Sequence, residues 1–328
     1  MLNLLEDRPR LPRPAPRPRT TSRRSAWLAL ALVAALYIAA LASAYPFDSD
    51  PPLTRAELDQ TASYYQRAYS IPDGGSDSAA DDVYVRVAAQ AARLHRIPER
   101  VQAFVNDNRL GGAKVLEIGA GRGYLQDHVR DYTGLDISST AHRFFHKPYV
   151  RGSATAMPFA DSSFDAAWSI WVFEHIPNPE QALRETRRVL KDGALLYFLP
   201  AWDCPPWAAE GLPVRPASQL TLGQRLVRST IDFRTTNLFW LLTKPPVRAA
   251  RALSDRLAGG PATLHYRRLQ PNYDKYWMAD SDAVNSLDRD EARRWFTSRG
   301  DECLNCASQS FFWPEEDPAL IIRIHKRP

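Results

Sequence analysis

Three glycines, Gly119, Gly121 and Gly123, sit in the stretch VLEIGAGRGYL, residues 115–125. They follow an apolar run, and a loop without Cβ atoms lets a ligand lie close to the backbone. A dinucleotide site requires G-x-G-x-x-G with the pyrophosphate at a helix N-terminus. Here the third glycine comes one residue early. Glu117 stands two residues before the first glycine. A carboxylate there repels a pyrophosphate and suits a ligand that offers cationic or donor groups. A phosphate-binding P-loop is excluded, because no Gly-Lys-Ser/Thr follows. Asp136 ends the next apolar run, YTGLDIS, where an acidic side chain can accept both hydroxyls of a ribose. That acid serves NAD or another adenosine ligand equally.

These residues need strands to hold them. Lys114–Ile118 reads as a central strand, Tyr124–Val129 as the helix behind the loop, and Phe164–Ile170 as a fourth strand. Asn178-Pro179-Glu180-Gln181 opens a helix, with Asn as cap and Pro at the first position. Ala194–Leu199 is the fifth strand. A helix from Asp288 and strands at Cys303–Asn305 and Leu320–His325 follow near the end of the sequence.

In this order the segments resemble the class I S-adenosylmethionine-dependent methyltransferases, particularly the small-molecule and lipid branch. VLEIGAGRGYL looks like the family's first motif, GLDIS like its second, and residues 152–200 like the rest of its core. The resemblance implies an α/β fold, a doubly wound, mainly parallel seven-stranded sheet. It implies S-adenosyl-L-methionine as cofactor. Gly119, Gly121 and Gly123 would pack against the amino-acid part of the cofactor, and Glu117 would orient its ammonium. Asp136 would take the ribose, and Ile137 would lie against the adenine. Ser153-Ala154 stands where many members have Asp-Ala, so Ser153 offers the adenine an uncharged bond only. Met157 could line the adenine slot or fill the core. The glycines could also serve only to pack helix against strand.

Methyl transfer to a hydroxyl needs a proton acceptor. His175, in VFEHIP after the fourth strand, is the candidate catalytic base; the alternative is that it braces the loop. No metal site is expected, because SIWVFEH lacks the carboxylate pair of a magnesium-dependent methyltransferase. A Rossmann NAD(P)-binding oxidoreductase and a non-catalytic, membrane-tethered member of the fold are the rival readings.

Net charge is +5, and seven Arg within residues 1–25, against Glu6 and Asp7, account for all of it. The rest is neutral, which gives no reason to expect nucleic-acid binding. Residues 1–25 read as a disordered Pro/Arg-rich tail. Residues 26–45 carry no charge; at ~1.5 Å each they span about 30 Å, the thickness of a bilayer core. They read as a transmembrane anchor, with a cleaved signal peptide ending at Ala42-Ser43-Ala44 as the alternative. Residues 46–112 read as a helical cap, beginning at a capping box on Thr54 and Glu57 and turning at residues 72–76. Residues 113–328 read as the methyltransferase domain, with a helical insertion at about 200–286.

In the insertion, Leu220, Val227, Ile231, Leu238 and Leu242 share a helical spacing that Pro245-Pro246 should stop. Val247, Ala250, Leu253 and Leu257 form a second face, with Arg248, Arg251 and Arg256 opposite. The insertion is then either a cap on the sheet or a lid touching the bilayer through Phe239, Trp240 and its basic helix. The acceptor is expected to be a small molecule, a lipid or a lipid-linked sugar. The Arg-rich front would place the N-terminus in the cytoplasm and the domain outside. Cofactor supply argues for a single-pass membrane protein whose domain faces the cytoplasm. The three cysteines read as ordinary buried thiols, because Cys303 and Cys306 on one strand would point apart. Oligomeric state is left open.

Overall fold

The computed structural model describes residues 23–50, 54–70, 83–306 and 319–326. The tail before Arg23, the turn at residues 72–76 and a helix start near Asp81 lie outside the described residues.

One unit holds helix α1 (Arg23–Ala44) as far as Ser43. The helix contains the stretch Ser25–Ala44, which is long and apolar enough to cross a membrane. A signal sequence has the same character.

From Ala44 onward the chain forms a second unit built on a seven-stranded sheet. Its strands are β1 (Lys114–Ile118), β2 (Asp131–Asp136), β3 (Tyr149–Arg151), β4 (Phe164–Ile170), β5 (Leu190–Leu199), β6 (Glu302–Cys303) and β7 (Leu320–Arg323). The spatial order is β3-β2-β1-β4-β5-β7-β6. Strands β1 to β5 pair in parallel, and β7 is antiparallel to both β5 and β6. The chain therefore winds outward from β1 in one direction and then the other, the doubly wound arrangement expected. Ligands in such sheets bind outside the carboxyl ends of the strands, where the winding reverses.

Strand alternation fills both faces. Leu116, Ile118, Ala167, Leu196 and Phe198 pack with helices α5 (Pro179–Val189) and α8 (Arg289–Thr297). Val115, Ala166, Trp168, Tyr197 and Leu199 pack with helix α4 (Ile97–Asp107) through Val101, Phe104 and Val105. Both sheet faces are thereby covered, as a mainly parallel sheet requires. Two more helices precede α4: α2 (Arg55–Ala68) and α3 (Val83–Leu94).

Four expectations need correction. The helix expected over Tyr124–Val129 is a single 3₁₀ turn, Gln126–His128. A five-residue strand spans about 17 Å, and returning that distance takes about 11 helical residues. Only residues 119–130 separate β1 from β2, and the glycine loop uses several of them. Cys303 and Cys306 are joined by a disulfide rather than free. Strand β6 stops at Cys303, so the chain turns before Cys306 and strand alternation does not govern the pair. Cys204 is a buried free thiol, as expected.

The insertion breaks elsewhere than expected. Helix α6 (Leu222–Arg234) ends before Thr236, whose hydroxyl caps helix α7 (Asn237–Ala258) by accepting from Phe239 N. Pro245 and Pro246 lie inside α7 rather than at its end. The two faces of this helix are also mixed rather than opposed: Val247 is buried with Arg251, and Arg256 is exposed with Leu253 and Leu257. Arg251 is buried and donates to Glu291 at 3.0 Å; Lys244 and Arg248 pair with Asp288 at 3.1 and 3.2 Å. Leu253 and Leu257, on the apolar face read from the sequence, are exposed.

Candidate active site

The glycine loop is fastened at both strand ends. Gly119 N and Ala120 N both donate to Leu135 O, at 2.8 and 3.0 Å. Gly121 N donates to Asp136 Oδ2 at 2.9 Å, and Ser138 N donates to Asp136 Oδ1 at 2.9 Å. Parallel pairing brings the ends of β1 and β2 to one edge of the sheet, with Ile118 beside Leu135. Glu117 and Asp136 therefore open into the same cavity, a space of about 820 Å³.

The three glycines divide by role. A Cβ on Gly119 would stand 2.3 Å from the Val172 side chain, and one on Gly123 would stand 2.9 Å from Phe145. Those two allow close packing. A Cβ on Gly121 would meet only the Tyr69 hydroxyl end, at 3.1 Å. Gly121, at φ +50°, lines the cavity, so its missing side chain leaves space for a ligand. Gly123 does not line it.

Glu117 is buried, and Tyr132 Oη donates to its Oε2. Burial pushes its carboxyl up to about 8, against the pull of the Tyr132 bond. A cation placed beside this carboxyl would favour its ionised form and pair with it. Burial also raises Asp136, although the Ser138 and Gly121 N–H groups pull it back. Ile137, Ser153 and Ala154 line the cavity beyond Asp136. The Ser153 hydroxyl is 2.8 Å from that of Thr155. Met157 is not on the cavity wall; it is 4% exposed within the core, so the slot-lining alternative fails.

Arg122 escaped the reading of the sequence. Its Nε and Nη2 are buried without hydrogen-bond partners, while its guanidinium lies over the Phe144 ring at 4.6 Å. The signal was a basic residue inside the glycine loop itself. A ligand carboxylate would satisfy it.

The far side of the cavity is built from the turn after β4. Trp171 takes a left-handed conformation at φ 54°, and its N donates to Leu199 O at 2.7 Å. This carries the chain round to Glu174 and His175. His175 Nδ1 is 3.5 Å from Asp282 Oδ2, and its Nε2 is 3.6 Å from Glu174 Oε1. Tyr65 Oη donates to Asp282 Oδ2 at 2.8 Å. Burial draws the imidazole pKa down, but Asp282, Glu174 and Asp280 outweigh it and raise it overall. Burial lifts Glu174 to about 7 against the pull of His175. Glu174 had a signal in the sequence, being next to His175. Asp282 and Tyr65 had none, because they arrive from distant segments. Among the described residues no His/Cys/Asp/Glu group could hold a metal ion.

Residues 116–198 match the family model described as "Methyltransferase domain". A fatty-acid O-methyltransferase of Mycolicibacterium smegmatis is 32% identical over 188 residues, which are 51% of this chain and 66% of that protein. A phthiotriol/phenolphthiotriol dimycocerosates methyltransferase of Mycobacterium ulcerans is 32% identical over 137 residues, 36% of this chain and 51% of that one. The structure of the S-adenosylmethionine-bound amino pentose methyltransferase CalS10 from Micromonospora echinaspora aligns at 19% identity with a TM-score of 0.32, covering 36% of this chain and 56% of that one. The aligned stretches thus span about half to two-thirds of these curated relatives.

Proposed function

We propose that this chain, which carries a class I S-adenosylmethionine-dependent methyltransferase domain, passes a methyl group to a lipid-related small-molecule acceptor at a membrane. One observation carries the reading: Glu117 and Asp136, at the ends of adjacent strands, flank a loop whose Gly121 opens into the cavity. The residues fit the cofactor. Glu117 would hold its ammonium and Arg122 its carboxylate. Asp136 would hold the ribose hydroxyls, Ile137 would lie against the adenine, and Ser153 and Ala154 would border it. Gly119 and Gly123 would keep the loop's shape. When bound, the cofactor supplies a methyl group activated by a sulfonium.

The chain's own contribution is positional and protic. Glu174 Oε1 and His175 Nε2 face each other at 3.6 Å. Together they would accept the proton of a hydroxyl acceptor, with His175 held by Asp282. Tyr65 and Tyr69 of the α2 region form part of the cavity wall and would screen the site from water.

The membrane part of the reading rests on α1 and on α7. Leu238, Leu242, Leu253 and Leu257 repeat at four, eleven and four residues, which is one helical face, and are 41–79% exposed. An apolar stripe turned outward, with Lys244, Arg248 and Arg251 paired inward, suits an apolar surface outside the protein.

Calorimetry on the full chain in detergent micelles tests the assignment. S-adenosylhomocysteine should bind. Asp136→Ala should weaken binding by about 1–3 kcal/mol, the cost of losing hydrogen bonds to a charged group. Gly121→Val should abolish it. Binding of NADH without S-adenosylhomocysteine would reject the reading, and binding without turnover on any lipid would favour the non-catalytic alternative.

A further inference from the structure

One end of the cavity is acidic. Glu174, Asp280 and Asp282 line it, together with His175, Tyr65 and Tyr276. Three separate stretches supply them: helix α2, the turn after β4, and residues 276–282. Asp282 is engaged, by Tyr65 Oη at 2.8 Å and by His175 Nδ1 at 3.5 Å. Glu174 is different. It is 1% exposed; the backbone N–H groups of Glu174 itself and of Ala201 bear on its carboxyl, but neither completes a well-formed hydrogen bond to either oxygen. Its nearest cation is His175 Nε2, at 3.6 Å. A buried carboxyl without a well-formed hydrogen bond is costly, and native proteins rarely keep one without a use. The three arginines of the cavity, Arg93, Arg100 and Arg122, come from α3, α4 and the glycine loop. None comes from the segments that form this acidic end.

We propose that the acceptor binds at this end through a head group that donates hydrogen bonds, a hydroxyl or an amine, and that a carboxylate head group is rejected. This rests on the cavity being the methyl-transfer site. A hydroxyl or an amine brings a donor to Glu174 and satisfies it. An ionised carboxylate has only acceptors. It leaves Glu174 unsatisfied and adds a like charge beside three carboxyl groups, whose charge the single imidazole of His175, already placed between Glu174 and Asp282, does not balance, in surroundings where charges interact strongly. The proposal separates this chain from its relative named for fatty acids.

The test uses the full chain in detergent micelles at pH 8, with oleyl alcohol, oleylamine or oleate added at equal mole fraction. These share one hydrocarbon chain and differ only in head group. Ligands that bind the native state raise its melting temperature. Oleyl alcohol, oleylamine or both should raise it by several degrees, the larger shift telling hydroxyl from amine, and oleate should leave it unchanged. In Glu174→Gln the new amide can donate to a carboxylate, so oleate should then stabilise. If that variant does not fold, the wild-type comparison of the three lipids still decides. Oleate stabilising wild type as much as the alcohol, or no stabilisation by any of the three, overturns the proposal. S-adenosylhomocysteine added alone probes the methyl-transfer reading separately. Its failure to stabilise, with lipid discrimination intact, counts against that reading and not against head-group selection.

Discussion

Glu117 shows how one buried carboxyl can tie binding to pH. Its pKa, pushed by burial to about 8, means that the empty protein holds a proton there at pH 7. An ammonium needs the ionised form, so binding at pH 7 must expel that proton. Calorimetry in buffers of different ionisation enthalpy should therefore record net proton release at pH 7, shrinking toward pH 9. Glu117→Gln should remove the release and weaken binding. Stability moves with the same group. A folded pKa above the ordinary 4.5 stabilises fully below that value and is lost as pH rises through about 8. Glu117→Gln should thus melt progressively higher relative to wild type as pH is raised from 5 to 9, by on the order of a few kcal/mol at most. An unchanged difference across that range would show that Glu117 is not held protonated in solution.

Helix α7 carries the clearest prediction at the scale of elements. Its inner face is fixed by ion pairs to Asp288 and Glu291, of which Asp288 is held well below its ordinary pKa: burial raises it, but Lys244 and Arg248 outweigh that. Leu238 and Leu253 of its outer stripe are each 56% exposed. Replacing Leu238, Leu242 and Leu253 with Ser should leave melting and S-adenosylhomocysteine affinity nearly unchanged. It should lower cross-linking of α7 to photoactivatable lipid in nanodiscs several-fold, and cross-linking at wild-type level would remove α7 from the membrane surface. This face was not legible in the sequence. Arg251 and Leu253 differ in polarity as expected, but of the two acids paired with Arg251 only Asp255 is local; Glu291, which draws it inward, lies forty residues later on α8. Phe239 and Trp240, which looked like the lipid-facing pair, are half-buried, packing on Phe233 and Arg248. The parallel strands were legible because each is an apolar run ended by a polar residue, as Ile118 is by the glycine loop and Leu135 by Asp136. The site was legible where its residues are neighbours in sequence, as Glu117 and Gly121 are. Asp282, Tyr65 and the unpartnered state of Arg122 depend on packing between distant segments, for which a single chain gives no local sign.

At the scale of the whole molecule, two observations disagree over where the domain lies. Seven Arg precede the apolar stretch, and the positive-inside rule would keep them in the cytoplasm and send the domain across. The Cys303–Cys306 disulfide is also the chemistry of an oxidising compartment. Against both stands the cofactor, which is made in the cytoplasm. Charge bias sets topology by preference, and two cysteines three residues apart can cycle between disulfide and dithiol with their surroundings. A methyltransferase cut off from its methyl donor has no turnover, so cofactor supply takes precedence. We expect the domain on the cytoplasmic side, with α1 either entering the bilayer without fully crossing or inserting against the charge rule. In sealed cells, protease added outside should leave the domain intact until the membrane is opened. A thiol reagent that crosses membranes should label Cys303 and Cys306, and an impermeant one should not. Digestion of the domain from outside would place the enzyme beyond the membrane. The question would then become how S-adenosylmethionine reaches it there.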